Sequence, residues 1–266
     1  MTTLLSRIAP ESIMIAGAGR ALLLQLAYPA VGRGVVEHSN FSEDALKRFH
    51  GTLTYIYAVT NGTSAQRDRA VAWVRRAHEP VKDLDGDPPY DAQDPQLQLW
   101  VAATLYDSAM LVYENVFGSM SAADAEQLYR EYAILGTALG MPADLWPDDR
   151  AAFSRYWDSA LAQMRVDPAV AAAAETLLHP RNVPLWLRAG MPVARLITTA
   201  MLPPTVREIY GSEVLGLNYG TVADRAFRSL IGGCGVVVPK IPHAIRQAPM
   251  RYYLRRLGGN LPTIEA

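Results

Sequence analysis

Three side chains with the potential for shared chemistry lie close together in the sequence: Arg75, His78 and Lys82. Helical periodicity predicts one helix over residues 64–82, and spacings of three and four residues place all three side chains on one face of it. The flanking cations disfavour protonation of the imidazole, and a neutral imidazole is the form that binds a metal. Haem has an iron that takes an axial histidine and propionates that take cations, so the pattern fits haem. The alternative is a solvated basic face with an incidental histidine.

Arg48 and Thr52 form a second pair, on the preceding predicted helix over residues 43–60. Because they are four residues apart, they share one helical face. A guanidinium and a hydroxyl would form the polar corner of an otherwise apolar pocket and would orient bound dioxygen or water. The alternative is a surface arginine beside a solvated threonine.

The elements that must position these residues are helices, since strand-like alternation is scarce and helical periodicity is common. A helix that starts near Ser121 is predicted to run to about Gly140, and the many prolines after residue 180 predict short, sharply joined helices. We expect an all-α, single-domain helical bundle formed by residues 1–266, because no linker or low-complexity tract divides the chain. The predicted N-caps are Ser42, Thr63, Ser121, Asp94 and Asp167, the last two followed by proline.

The composition narrows the function classes. The 266 residues carry a formal net charge of −1 with acids and bases interspersed, which argues against a nucleic-acid partner. The single cysteine, Cys234, excludes an intramolecular disulfide framework and fits a buried thiol in a reducing compartment. We therefore expect a cytoplasmic location.

Two segments bear on membranes. The apolar stretch Ile13–Val31 is interrupted by Arg20, Gln25 and Pro29, so we interpret it as a buried helix and expect no transmembrane span. Arginines alternate with apolar residues at the C-terminus, which fits peripheral contact with a membrane surface or a solvated helix face. These arginines are Arg246, Arg251, Arg255 and Arg256.

The chain resembles a known family through several motifs in a shared order and spacing. They include Arg48-x-x-x-Thr52 and the Arg75-x-x-His78 pattern within Val74–Val81. The other segments that carry the likeness are Leu22–Phe41, Tyr90–Pro95, Leu99–Val101, Gly136–Pro142 and Ile245–Pro249. Together they are similar to the catalytic domains of oxygenase MpaB and rubber oxygenase (latex clearing protein).

The resemblance implies an all-helical fold with a globin-like core around a pocket for haem b. It implies that His78 is the proximal iron ligand and that Arg75 lies near the propionates. Arg48 and Thr52 correspond to residues on the distal side of the haem. Lys82, from the spacing above, is a further candidate partner of the cofactor.

The sequence departs from the family pattern at specific positions. Gly51 stands where rubber oxygenase has a distal lysine, which implies a sixth iron site that is open or holds water. Tyr28 precedes Pro29 where many relatives have histidine. Glu37 is the candidate counterpart of the glutamate that serves as catalytic base in rubber oxygenase.

The resemblance, together with the spacing of Arg75, His78 and Lys82, implies a haem b-dependent oxygenase that acts with dioxygen on an apolar small molecule. The terpenoid or lipid-like substrate type is implied by the resemblance alone. Three alternatives stay open: a haem-dependent dehydrogenase or hydroxylase of a small metabolite, a non-enzymatic haem- or gas-binding sensor, and a haem-free helical binding protein. Incorporation of labelled dioxygen into the product would separate the oxygenase from the dehydrogenase.

Overall fold

The structure is a computed structural model that describes residues 3–38, 41–180 and 183–259, and it confirms the all-α fold. Its helices are α1 (Leu4–Ile8), α2 (Ala18–Ala27), α3 (Pro29–Glu37), α4 (Phe41–Asn61), α5 (Ser64–His78), α6 (Pro95–Phe117), α7 (Ala122–Tyr132), α8 (Ile134–Thr137), α9 (Arg150–Ala162), α10 (Pro168–Leu178), α11 (Leu185–Met201), α12 (Pro204–Leu215), α13 (Thr221–Val237), α14 (His243–Arg246) and α15 (Ala248–Gly259). Short 3-10 helices span Ser12–Gly17, Ala143–Leu145 and Val238–Lys240. Two short strands, β1 (Lys82–Asp83) and β2 (Tyr90–Asp91), pair in antiparallel fashion.

Local capping chemistry explains where several helices begin. Asp94 and Asp167 accept hydrogen bonds from backbone N–H groups of the first turns of α6 and α10, and proline follows each of them. Thr63 and Gln66 form a reciprocal capping box at the start of α5. Ser121 caps α7 in the same way as the aspartates. These four predicted N-caps are confirmed, whereas the fifth prediction, at residue 42, is wrong because α4 begins at Phe41.

The helix predicted over residues 64–82 ends earlier than expected. It stops at His78 because Pro80 lacks an amide hydrogen and its ring clashes with the preceding turn of a helix. Lys82 instead lies in β1, where it pairs with Asp91. The prediction that Lys82 shares one helical face with Arg75 and His78 is therefore wrong.

Three other predicted elements differ from the structure. The helix predicted from Ser121 to Gly140 is divided into α7 and α8, since α7 ends at Tyr132. The segment predicted as one buried helix consists of a 3-10 helix, α2 and α3, because the chain turns where Tyr28 meets Pro29. The prediction that all helices after residue 180 are short is wrong for two of them. Both α11 and α13 have 17 residues, and α11 contains Pro192.

One bent pair of helices bears on whether the chain could cross a membrane. Within the described ranges, no single helix is both long and apolar enough to cross a bilayer. The pair Ser12–Ala27 and Pro29–Glu37 meets the length and composition test only when joined, and it is bent by 101°.

The core is centred on α6, which packs against α2, α8 and α13. Its fully buried Trp100 donates an indole hydrogen bond to the carbonyl of Leu24 in α2, with an N–O distance of 3.3 Å. An aromatic cluster then joins α6 to α7 and α9; its rings are Tyr106, Tyr129, Tyr132, Trp146 and Phe153. This packing holds α2 and α6 as a fixed wall for the cavity described next.

A buried arginine ties the same helices to α11. The guanidinium of Arg20 lies 2.5 Å from a carboxylate oxygen of Asp107 and donates to Ser108 Oγ and to the carbonyl of Met201. Burial lowers the pKa of Arg20, and the Asp107 carboxylate opposes that shift. Because a buried guanidinium is tolerated only when it is paired and hydrogen-bonded, this cluster fixes how α2, α6 and α11 meet.

Candidate functional site

A cavity of about 930 Å³ lies among the first 3-10 helix, α2, α4, α10 and α11. This volume is in the range of small-molecule binding sites. Most of its wall is aliphatic and includes Leu22, Leu105, Met191 and Ile197. The cavity is open to solvent, since Thr52 and Gly190 in its lining are exposed. The polar side chains of the lining are Gln25, Arg48, Thr52, Glu175, Thr176, His179 and Thr198.

Arg48 and Thr52 stand on the cavity wall, as their common helical face predicts. Thr52 Oγ1 donates to the carbonyl of Arg48 over 3.0 Å, which holds the hydroxyl against the preceding turn of α4. The two residues therefore place one cation and one hydroxyl at the edge of an apolar space. Such an arrangement can orient a small polar molecule beside an apolar one that packs against the rest of the wall.

His78 is half-buried at the end of α5. Burial lowers the pKa of the imidazole, and the positive charge of Arg48 lowers it further, while Asp91 raises it. Across the part of the chain that the structure describes, neither ring nitrogen of His78 has a hydrogen-bond partner. Burial and Arg48 thus both favour the neutral form of the imidazole, which is the form that binds iron.

The other two predicted cofactor residues lie outside the cavity lining, as does His78 itself. Arg75 is exposed, and its Nε donates to the carbonyl of Leu139 over 3.2 Å, beside Gly140. Lys82 is exposed on β1. The structure thus brings Arg48 and Thr52 together at the cavity and places His78 within electrostatic reach of Arg48.

The carboxylate of Glu37, the candidate catalytic base, is bonded to two neighbouring side chains. Its carboxylate accepts a hydrogen bond from Tyr90 Oη over 2.7 Å and forms an ion pair with Arg33 Nε, also at 2.7 Å. These interactions, Tyr90 first, hold the pKa of Glu37 below its usual value. A carboxylate stabilised in its charged form is a weak proton acceptor, and Glu37 is not part of the cavity lining.

Trp73 is a residue of this region that sequence reasoning missed. A Cβ atom added to Gly51 would lie 2.4 Å from Cη2 of Trp73, so the indole ring occupies the space beside α4 where a larger side chain would begin. This contact gives a physical reason for glycine at the position where rubber oxygenase has lysine. The signal in the sequence was the glycine itself, because glycine inside a helix costs about 1 kcal/mol relative to alanine.

His179 is a second missed residue. It lines the cavity at the end of α10, and its Nδ1 lies 3.2 Å from the carbonyl of Glu175. Gly216 has a φ of 61° and would, with a Cβ, come within 2.3 Å of His179 Nε2. No pattern in the sequence indicates that His179 lines the cavity, because it is far along the chain from Arg48 and Thr52.

The donor set suits one axial ligand rather than a multidentate metal site. Among the described residues, no group of three or more His, Cys, Asp or Glu side chains is placed to hold a metal ion. A haem iron needs a single protein nitrogen, and the unpartnered imidazole of His78 fits that requirement. Arg48 lies within electrostatic reach of His78, and Arg75 precedes it by three residues on the same helix.

The fold and site define a class: an all-α protein with a large, mainly apolar cavity whose wall includes Arg48 and Thr52. The family described as ER-bound oxygenase mpaB/B'/rubber oxygenase, catalytic domain, matches residues 6–233. The chain belongs to this family, whose members are oxygenases by that description.

Two curated relatives are similar over most of their length. "Uncharacterized protein Rv2237" of Mycobacterium tuberculosis and "Uncharacterized protein Mb2261" of Mycobacterium bovis are each 33% identical over 228 residues, covering 84% of this chain and 88% of the relative. No solved structure matches the chain.

Proposed function

We propose that the protein is a haem b-dependent oxygenase that acts with dioxygen on an apolar molecule of terpenoid or lipid-like type. The observation that carries the proposal is the half-buried imidazole of His78, which has no hydrogen bond to any described residue and lies within electrostatic reach of an arginine that lines an apolar cavity. Membership of an oxygenase family supports it. The cytoplasmic location expected from the sequence is part of the same proposal.

In this proposal each residue has one task. Haem iron, bound through His78, supplies the dioxygen chemistry. Arg75 would provide positive charge for the propionates, and Arg48, on the cavity wall, would orient dioxygen together with Thr52. The aliphatic wall binds the apolar substrate, and Thr52 offers a hydroxyl that is oriented by its bond to the Arg48 carbonyl. Glu37 has no proton-transfer role here, because its partners keep it charged.

Product analysis under isotopically labelled dioxygen tests the proposal. The haem-reconstituted protein is incubated with a panel of acyclic terpenoid alkenes, and the products are analysed by mass spectrometry. We expect label in the product. Oxidised product without label would instead favour the dehydrogenase alternative, and no turnover of any alkene would contradict the proposed substrate class.

The chain offers a matched control for the threonine. Thr52→Val removes a hydroxyl at the cavity, whereas Thr54→Val removes one that makes the same kind of bond, to the His50 carbonyl over 2.7 Å, outside the cavity lining. We expect slower turnover only in Thr52→Val. Equal rates in the two variants would remove Thr52 from the site.

A further inference from the structure

Helix α11 is apolar on two opposite faces. One face lines the cavity through Leu187, Met191 and Ala194. The opposite face carries Leu185, which is 81% exposed, and the exposed Pro192. An amphipathic surface helix normally turns charged residues outward, so an apolar outer face over a substrate cavity needs an explanation.

Helix α13 packs beside α11 and has the same property. Its inner stripe, Phe227, Ile231 and Cys234, packs into the core with Val112 and Ile197. Its outer stripe carries Val222, Val236 and Val237, which are 79%, 60% and 56% exposed. Gly232 and Gly233 lie on the exposed side, and an added Cβ at either would meet no atom within 4 Å. We call five exposed apolar side chains outside the cavity lining the α11–α13 surface; they are Leu185, Pro192, Val222, Val236 and Val237.

The charge on the two helices that carry this surface is mainly positive. The two helices carry four arginines against one aspartate, while the whole chain is at −1. The aspartate, Asp224, is paired with Arg228 at 2.7 Å. Arg188, Arg225 and Lys240 are exposed at the borders of the apolar stripes. Apolar stripes bordered by cations match an interfacial membrane surface with anionic headgroups.

We propose that the α11–α13 surface docks onto an anionic phospholipid bilayer, with the cavity directly beneath the docked helix. Pairing with a second copy of the chain is less favourable, because the same excess of arginines would meet itself across the interface. The surface is distinct from the basic C-terminal segment considered from the sequence, where Arg246 is buried and ion-paired with Glu11 at 2.7 Å. An apolar substrate would pass from lipid into the cavity past Gly190, an exposed residue of the lining whose added Cβ would also meet no atom within 4 Å.

Vesicle co-sedimentation tests the proposal. The full-length protein is mixed with vesicles of phosphatidylcholine alone or with added phosphatidylglycerol. We expect binding to the anionic vesicles that weakens as salt is raised. In the Leu185→Glu/Val236→Glu double variant the partition coefficient should fall by about tenfold or more, since two exposed apolar groups that would insert into the bilayer become charged ones. Leu84→Glu is the control, because Leu84 is 68% exposed and belongs to neither helix.

Three outcomes would overturn the proposal. They are no binding of wild type to anionic vesicles, equal binding by the double variant and wild type, and light scattering that shows a dimer dissociated by the same two substitutions. Circular dichroism confirms that each variant is folded. The measurement uses protein with and without haem, so a failure of the haem proposal leaves the vesicle result interpretable.

Discussion

Substitution of Gly51 by alanine tests how α4 and α5 pack at the site. The new Cβ would approach Cη2 of Trp73 to 2.4 Å, so the ring or the helix must move. Overpacking of this kind costs about 1 to 3 kcal/mol, whereas replacing a helical glycine by alanine gains about 1 kcal/mol. We therefore expect a net loss of about 1 kcal/mol in the free energy of unfolding.

Gly233→Ala is the matched control, because Gly233 is also inside a helix but its added Cβ would meet no atom within 4 Å. It should gain about 1 kcal/mol, so the two alanine variants should differ by about 2 kcal/mol. In a Trp73→Leu background the Gly51→Ala change should become stabilising, since the clashing ring is gone. Urea denaturation followed by circular dichroism measures all of these values. Equal stabilisation by Gly51→Ala and Gly233→Ala would refute the packing argument.

Two further predictions concern stability. Asp107→Ala leaves the Arg20 guanidinium buried without its carboxylate and should lower the free energy of unfolding by about 3 kcal/mol. Asp224→Ala breaks an exposed, solvent-screened pair and should leave the free energy of unfolding almost unchanged, so similar losses in urea titrations would contradict the role of burial. Burial raises the pKa of Tyr57 and Tyr106 to about 12 from 10.0, so the folded state retains these protons longer and stability should fall as pH rises from 10.0 to about 12. Thermal denaturation across that range checks the sign, and a flat profile would be inconsistent with it.

Local chemistry made much of the fold predictable. Asp94 and Asp167 each combine a side-chain acceptor with a following proline, so the start of a helix is encoded within a few residues. The end of α5 is also determined by a nearby residue, since Pro80 disfavours the helical conformation at the residue before it. The periodic pattern of Arg75, His78 and Lys82 outweighed that signal in the prediction.

The site was only partly predictable because its remaining features depend on tertiary contacts. Arg48 and Thr52 share a helical face by their spacing alone, and the structure places both on the cavity wall. The contact of Trp73 with Gly51 joins two helices, and His179 reaches the cavity from α10. Neither feature follows from spacing along the chain.

The central claim, that His78 holds a haem iron, is tested most directly by absorption spectroscopy of the purified protein after haem reconstitution. Wild type, His78→Ala and His179→Ala are compared at equal protein concentration, the last as a histidine of the cavity wall with no assigned role in ligation. The account predicts a Soret band in wild type and in His179→Ala and its loss in His78→Ala. A wild type without the band, or a His78→Ala protein that retains it in full, would contradict the account.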